Sequence, residues 1–282
     1  MKHDLQVLSV NATDANQRFS RLLAESEHGR DVVITKRGRP VARLMPINGN
    51  AEPVAPIGAP AASDIPDFDK RSAMIEVCRR MNRTGLNQGT SGNASIRVDG
   101  GLLITPSGLD YEQTMPADIV KIGITGRLLH GHRRPSSEWH FHCRVMEARP
   151  RAGALLHTHS VNATALACLG RGIPPFHYMV AVAGGTDIRC APYATFGTEE
   201  LADAVVAALD GRLACLMANH GMIVLGRDIE DAYNRAVEVE TLAAQYLKAL
   251  AVGEPNLLDS GQMDAVLEKF RNYSGWAAAN RM

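Results

Sequence analysis

The sequence predicts an α/β fold in which a mixed central sheet is flanked by helices, and three observations favour this class. Beyond about residue 70, short apolar segments typical of strands are mixed irregularly with amphipathic segments of helical period. No predicted strand is followed by the G-x-G-x-x-G turn of a dinucleotide-binding fold. Hydrophobic residues make up 45% of the 282 residues and charged residues 21%, which provides a sizeable core and argues against disorder.

Charge and composition exclude several classes of protein. Thirty Lys and Arg residues balance thirty Asp and Glu residues, so the chain as a whole is neither a polycation nor an acidic tail. No apolar run reaches the roughly 18 residues of a membrane-spanning helix, and the first residues lack the apolar stretch of a secretory signal. The five scattered cysteines are typical of reduced core thiols. We therefore expect a cytoplasmic protein without a membrane partner.

A change in composition divides the chain. A segment rich in proline and alanine predicts a semi-rigid linker over residues 48–69. It separates a small N-terminal α+β module, residues 1–47, from a body, residues 70–282. The module carries eight basic and five acidic side chains, a net charge of +3 that is concentrated between Lys36 and Arg43.

Local patterns predict the elements of the module. These are a strand at residues 7–11, a helix at 14–27 and a hairpin formed by 31–35 and 40–46. Thr13 can cap the helix and Gly29 can end it. Between them, Phe19, Leu22 and Leu23 recur at helical spacing.

The body is predicted to alternate between helices and strands. The predicted helices span residues 73–84, 137–147, 161–169, 198–209 and 229–252, and the predicted strands span 94–98, 102–105, 119–122, 153–157, 213–217 and 222–225. Their ends follow cap and stop signals. Gly85 ends the first helix, Thr198 and Gly211 bracket the fourth, and Gly253 and Pro255 end the last.

Three His-x-His pairs raise the question of a metal site. Residues two apart share one face of a strand but lie about 200° apart on a helix, so a pair on a strand can hold one ion. His157 and His159 follow an apolar strand and meet this condition. The pair at positions 140 and 142 falls on a predicted helix and does not. His130 and His132 fall in a polar turn, which is typical of solvated side chains.

A third imidazole is provided by His220, which lies in a tight turn between two predicted strands. Three neutral imidazoles leave a coordination position open for substrate, as in a catalytic zinc site. Spacing alone leaves open the alternative that these are core histidines with internal hydrogen bonds. Glu138, behind Ser136 and Ser137, is either a general acid or base or a first-turn charge favoured by the helix dipole.

Glycine- and serine-rich turns occur at residues 89–93 and 105–108 and at the start of the helix that follows Ser136 and Ser137. Their hydroxyl and backbone N–H groups could bind a phosphate, although each turn by itself is also typical of an ordinary loop. Together with the three histidines they indicate a small phosphorylated metabolite.

The body resembles the class II aldolase/adducin family over residues 72–273. The motifs that carry this resemblance, in chain order, are LNQGTSGNAS, LLITPSG, PSSEWHFH, LLHTHS, HYMVAVAGG, CAPYATFGT, NHG and LEKFRNY. The resemblance implies a class II aldolase fold and a zinc enzyme that cleaves a ketose 1-phosphate. L-fuculose 1-phosphate is the expected substrate, and the products would be dihydroxyacetone phosphate and an aldehyde such as L-lactaldehyde, formed through a zinc-bound enediolate.

The resemblance also implies a role for each matching residue. The zinc ligands would be His157, His159, His220 and, in the resting site, Glu138, which would also move the proton at the enediolate carbon. The phosphate would be bound by Gly92, Asn93, Ser107, Gly108, Ser136 and Ser137. Tyr178 of a neighbouring subunit would handle the proton on the aldehyde-side oxygen, and Phe196 and Tyr273 would shape the aldehyde pocket. The family is typically homotetrameric.

Two departures and several alternatives accompany this assignment. Asn219 stands where the aldolase usually has a second histidine, and Ser107 stands where threonine is expected. Aldolases for 5-deoxyribulose or methylthioribulose 1-phosphate would use the same residues. Pentulose-phosphate 4-epimerases, methylthioribulose-phosphate dehydratases and non-catalytic adducins are related. The epimerases look to carry aspartate at the position of Glu138, so the glutamate favours an aldolase.

The N-terminal segment resembles the DNA-binding and dimerising half of Phd/YefM antitoxins, and its hairpin ITKRGRPVARL is the most specific mark. The resemblance implies DNA contacts from Asn11, Arg37, Arg39 and Arg43. The toxin-binding tail is replaced here by the linker and the body, so toxin neutralisation is not expected. Two alternatives are a module without a DNA role and a DNA-binding regulator whose body senses a sugar phosphate.

Overall fold

The computed structural model describes residues 7–28, 30–45 and 62–272. The chain forms two compact units, Met1–Ala59 and Pro60–Met282. None of the helices in the described ranges combines the length and the apolar character needed to cross a bilayer.

The N-terminal unit packs two helices on a small sheet. Its elements are β1 (Val7–Asn11), α1 (Ala12–Gln17), α2 (Phe19–Glu27), β2 (Asp31–Lys36) and β3 (Arg39–Leu44). β2 lies in the centre, parallel to β1 and antiparallel to β3. Ala15, Leu22 and Val32 form the buried core. The sheet and the hairpin confirm the α+β prediction for this segment.

The predicted single helix of this unit is wrong in two details. The helix breaks at Arg18, whose φ of −123° is not helical, so two short helices replace one. The cap is Asn11, not Thr13, because the Asn11 side chain accepts hydrogen bonds from the backbone N–H groups of Thr13 and Asp14. The predicted stop at Gly29 lies outside the described residues.

The C-terminal unit contains eight strands and six α-helices among the described residues. Its helices are α3 (Phe68–Arg83), α4 (Trp139–Ala148), α5 (Val161–Cys168), α6 (Glu199–Ala208), α7 (Ile229–Val252) and α8 (Ser260–Asn272). Its strands are β4 (Asn93–Val98), β5 (Gly101–Ile104), β6 (Val120–Ile122), β7 (Leu128–His130), β8 (Ala154–Thr158), β9 (Arg189–Ala191), β10 (Ala214–Met217) and β11 (Gly221–Gly226). Short 3-10 helices occur at Ala62–Asp64, Pro116–Asp118 and Tyr178–Ala183.

The eight strands form one mixed sheet in the order β7-β6-β5-β4-β8-β11-β10-β9. All neighbours are antiparallel except β9 and β10, which are parallel. β8 and β11 are neighbours in the interior of the sheet, and the site described below forms where their ends meet.

Helices cover both faces of this sheet, as the α/β prediction requires. Side chains of β8 alternate between the two layers: Ala154 and Leu156 pack with α3, α5 and α7, whereas Leu155 packs with α4 and α6. Since both faces are buried, the central strands are nearly continuous apolar runs.

Several boundaries differ from the sequence predictions. α3 begins at Phe68, five residues before the predicted start and inside the segment assigned to the linker. The sequence does not predict β7, β9 or α8. β7 and β9 are three-residue strands at the two edges of the sheet. The interpretation of His130 as a turn residue is wrong: it is the last residue of β7, and its Nδ1 lies 3.3 Å from Nη2 of the buried Arg71.

Candidate active site

Three histidines meet at the end of the central strands. His157 lies on β8, His159 follows directly after it, and His220 lies in the turn between β10 and β11. β11 pairs with β8, with Met222 opposite Thr158, so the turn that carries His220 sits beside His159. One ring nitrogen from each histidine lies within 4.8 Å of the other two. The Nε2 atoms of His157 and His159 are 3.0 Å apart.

The tautomer of His157 follows from its hydrogen bond. Its Nδ1 lies 2.9 Å from the carbonyl oxygen of Met222, and a carbonyl can only accept, so Nδ1 carries the proton. In the neutral ring the lone pair is then on Nε2, which points toward the other two histidines. A backbone carbonyl that fixes the tautomer in this way is typical of histidines that ligate a metal.

Glu138 completes the group of possible ligands. It immediately precedes α4 and is buried. Its Oε2 lies 3.3 Å from Nε2 of His157, and its Oε1 lies 3.2 Å from Nε2 of His220. Within the described part of the chain, Oε1 accepts no hydrogen bond. Three imidazoles and one carboxylate suit a zinc ion in both ligand type and number. The buried Oε1 of this carboxylate, which accepts no hydrogen bond from the described residues, is a suitable ligand atom.

The charges of these groups also suit a cation. Burial raises the pKa of Glu138, but the electrostatic interaction with His157 and His220 outweighs burial and lowers this pKa well below its ordinary value. Burial, reinforced by His157 and His220, lowers the pKa of His159 to about 4. At neutral pH the carboxylate is therefore ionised and His159 is neutral, which is the protonation state that binds a metal ion.

A cavity of about 350 Å³ opens above the histidines. Its walls come from the loop before β4, the loop after β5, the start of α4, the loop after β9 and the turn before β11. The residues that line it are Thr90, Ser91, Gly92, Asn93, Pro106, Ser107, Gly108, Ser136, Ser137, Glu138, His159, Tyr193, Ala194, Phe196, Asn219 and His220.

One wall of the cavity is built from glycine turns. Gly92 and Gly108 have φ angles of +66° and +67°, which side chains other than glycine rarely adopt. A Cβ on Gly92 would also lie 2.6 Å from the carbonyl oxygen of His157. Among the described residues, the N–H groups of Gly92 and Gly108 have no backbone acceptor. They are therefore available to an anion, together with the hydroxyls of Ser107 and Ser137.

Comparison with known proteins gives the family. The class II aldolase and adducin N-terminal domain matches residues 72–247, more than half of the chain. The chain belongs to the class II aldolase and adducin family. A separate match, to the antitoxin Phd_YefM of type II toxin-antitoxin systems, covers residues 8–51.

The relatives of this class II aldolase carry two different substrate names. A 5-methylthioribulose-1-phosphate/5-deoxyribulose-1-phosphate aldolase of Rhodospirillum rubrum is 53% identical over 203 residues, which cover 72% of this chain and 91% of the relative. An L-fuculose phosphate aldolase of Escherichia coli K12 is 47% identical over 201 residues, 71% of this chain and 93% of the relative. A solved structure of an L-fuculose 1-phosphate aldolase matches with a TM-score of 0.70 and 40% identity, covering 72% and 96% of the two chains. These comparisons support a lyase.

Most residues that the aldolase resemblance singled out lie together. The residues that line the cavity include the six phosphate residues, Glu138, His159, His220 and Phe196. His157 is fully buried and contacts His159 and Glu138. Tyr178 does not line the cavity of its own chain and is half exposed at the start of a 3-10 helix. Tyr273 lies outside the described residues. The roles assigned to these residues stay predictions.

The structure also reveals aldolase site residues that sequence reasoning did not select. Tyr193 and Ala194 line the cavity mouth beside Phe196, and Thr90 and Ser91 extend the first turn. His142, rejected as a ligand because it lies on α4, is instead fully buried and hydrogen-bonded to Asn93, which contacts Glu138. Its place in the motif PSSEWHFH was the available signal, because the motif puts it one helical turn after Glu138.

The candidate DNA residues of the N-terminal unit fall into two groups. Arg37 and Arg39 are exposed at the turn between β2 and β3. Arg43 instead pairs with the carboxylate of the buried Asp31, and the Asn11 side chain caps α1. The two turn arginines are therefore the ones available to a phosphate backbone.

Proposed function

We propose that the C-terminal unit is a zinc-dependent aldolase that cleaves a ketose 1-phosphate, such as L-fuculose 1-phosphate, to dihydroxyacetone phosphate and an aldehyde. The observation that carries this proposal is the convergence of three imidazoles and the Glu138 carboxylate beneath a cavity walled by glycine and serine turns. A metal-binding floor and an anion-binding wall in one cavity fit a phosphorylated, oxygen-rich substrate.

The residues around the cavity have separate proposed roles in metal binding and phosphate binding. His157, His159 and His220 would hold the zinc ion, which would supply a Lewis acid for the negative charge that develops when the carbon–carbon bond breaks. The N–H groups of Gly92 and Gly108 and the nearby serine hydroxyls bind the phosphate and so fix the substrate in register.

Protons are handled by side chains. Glu138, which lines the cavity, removes and returns the proton at the carbon of the dihydroxyacetone half. Tyr178, contributed by a neighbouring subunit of a homotetramer, handles the proton on the aldehyde-side oxygen. Phe196 and Tyr273 enclose the aldehyde half. The 50% exposure of Tyr178 in the single chain is consistent with a residue that acts in a neighbouring site.

A 5-deoxyribulose or 5-methylthioribulose 1-phosphate is the second candidate substrate. The observation in its favour is the 53% identity to the Rhodospirillum rubrum enzyme, against 47% to the Escherichia coli L-fuculose phosphate aldolase. The phosphate and zinc residues serve either substrate, since the two differ in the aldehyde half.

Enzyme-coupled release of dihydroxyacetone phosphate from the three ketose 1-phosphates tests the proposal. We expect release from at least one of them, and the ratio of kcat/KM values identifies the aldehyde half. Absence of release from all three by a zinc-loaded chain would overturn the aldolase proposal and favour an epimerase, a dehydratase or a sensor.

We further propose that the N-terminal unit binds DNA through the turn between β2 and β3. This proposal is supported by the antitoxin match over residues 8–51 and by the exposure of Arg37 and Arg39. An electrophoretic mobility shift with the upstream region of the gene should show a complex that weakens as salt rises. The double variant Arg37→Ala/Arg39→Ala should lose the complex, while Arg171→Ala, an exposed arginine of the body, should keep it. Equal binding by both variants would contradict the proposal.

A further inference from the structure

Beside Glu138 lies a row of three buried polar side chains, Asn93, His142 and Ser95, and the proposed reaction gives no role to His142 or Ser95. Asn93 Nδ2 lies 2.9 Å from Glu138 Oε2, and Asn93 Oδ1 lies 2.5 Å from His142 Nε2. His142 Nδ1 in turn lies 2.7 Å from the hydroxyl of Ser95. All four residues are buried, and Ser95 and His142 have no exposed surface at all. Buried polar groups in such a row must all be satisfied by one another.

The direction of every hydrogen bond in this row can be deduced. An ionised carboxylate only accepts, so the Asn93 atom beside Glu138 is the amide nitrogen. The Asn93 oxygen then faces His142 Nε2, which must therefore carry a proton. The unprotonated Nδ1 of the neutral ring accepts from the Ser95 hydroxyl. All three donors thus point toward the carboxylate.

The surroundings keep this direction fixed. Burial lowers the pKa of His142 to about 3, so the ring is neutral near pH 7 and has one donor and one acceptor. Ser95 and Asn93 lie two apart on β4 and share one face of the strand. His142 is on α4, the helix that begins right after Glu138. The chain of bonds therefore ties the strand that carries Asn93 to the helix that carries the carboxylate.

We propose that the hydrogen-bonded chain from Ser95 through His142 positions the Glu138 carboxylate. The chain holds Oε2 through the Asn93 amide, while Oε1 lies 3.2 Å from Nε2 of His220. His142 and Ser95 are positioning residues, since neither lines the cavity. This inference rests on the proposed role of Glu138 in proton transfer.

Substitutions at His142 test the proposal in the full zinc-loaded chain. In His142→Phe the ring keeps its approximate size and loses both nitrogens, so we expect kcat to fall about 10- to 100-fold, as for other partners that orient catalytic ligands. KM should change less than kcat, because the backbone N–H groups of Gly92 and Gly108 and the serine hydroxyls that would bind the phosphate do not contact His142. His142→Gln retains one donor and one acceptor and should recover part of the lost kcat. Cys143→Ala is the matched control, since Cys143 is a buried neighbour on α4 outside the chain of bonds.

A loss of kcat in His142→Phe no larger than in Cys143→Ala would overturn the proposal. So would a His142→Gln variant as impaired as His142→Phe, because a purely steric role predicts no rescue by hydrogen-bonding groups.

A spectroscopic measurement on the unmodified full chain is independent of turnover. In histidine-labelled protein, long-range proton–nitrogen correlation spectra should place the His142 proton on Nε2 at neutral pH, with the signal assigned by its absence in His142→Gln. A proton on Nδ1 would overturn the proposal, because Asn93 would then have to turn its oxygen toward Glu138. If the unmodified chain released no dihydroxyacetone phosphate, the proposed function would be refuted. The tautomer measurement would still test the direction of the hydrogen bonds from Ser95 to Glu138.

Discussion

Replacing Glu138 with glutamine removes the proposed proton carrier and keeps its shape. The amide oxygen of Glu138→Gln can still accept from Asn93 Nδ2, which lies 2.9 Å from Oε2 in the native chain. The second amide group, an NH₂, then takes the place of Oε1 beside His220. The variant should therefore fold normally and keep the three imidazole ligands.

The expected loss follows from what the amide cannot do. General acid–base catalysis contributes about 10²- to 10⁴-fold to turnover, which corresponds to about 2.7 to 5.4 kcal/mol in the activation free energy. We therefore expect kcat to fall by that factor in the coupled assay, with zinc content by metal analysis close to that of the unmodified chain. Glu147→Gln is the matched control, because Glu147 is an exposed glutamate on the same helix. Turnover by Glu138→Gln comparable to that of Glu147→Gln would refute the proton-transfer role.

Three further predictions concern the framework of the site. Gly92→Ala should lower the free energy of unfolding in urea by more than the roughly 1–2 kcal/mol of a left-handed residue, because its Cβ would meet the His157 carbonyl oxygen at 2.6 Å. Gly89→Ala, with a φ of +59° and open space around its Cβ, should show the conformational cost alone, and equal losses would contradict this account. Leu155 is a fully buried residue of β8 that packs with α4 and α6. Leu155→Ala should therefore lower the free energy of unfolding by about 2–5 kcal/mol in the same measurement, and a smaller loss would contradict the described packing. Metal-free protein should lose stability as pH falls from about 6.5 toward 3. The pKa of His142 is about 3 in the folded chain, so in this range His142 takes up a proton only when the chain unfolds. His142→Gln should flatten this pH dependence, and an unchanged slope would argue against a neutral His142.

The parts of the fold that sequence predicts well are those with a strong local signal. α7 was predicted with its exact bounds because a long amphipathic pattern ends at glycine and proline. β10 and β11 are readily predicted because both of their faces are buried, so each is a nearly continuous apolar run. β7 and β9 are not predicted because they are three-residue strands at the two edges of the sheet, without the two buried apolar residues that mark the equally short β6. The break at Arg18 was missed because the apolar spacing continues across it.

The candidate site likewise has some features that local sequence predicts and others that depend on the tertiary fold. The pairing of His157 with His159 can be predicted from the sequence, because it depends only on the alternation of side chains along a strand. His220 is a candidate from its tight turn between two predicted strands, but its place beside His157 and His159 depends on the pairing of β8 with β11 in the sheet, which no local pattern reveals. The role of His142 depends on a contact between β4 and α4 that spans 47 residues of sequence. Helical geometry correctly excluded it as a partner of His140, but gave no hint of its contact with Asn93.

The central claim is that turnover depends on a zinc ion held by three histidines, and metal reconstitution tests it most directly. The chain is stripped with a chelator, zinc is titrated back, and release of dihydroxyacetone phosphate is measured against bound zinc. We expect no release from the stripped chain and a rise in rate that is proportional to bound zinc and ends near one ion per chain. Full release by the metal-free chain, or recovery in a His157→Ala variant equal to that of the unmodified chain, would contradict it.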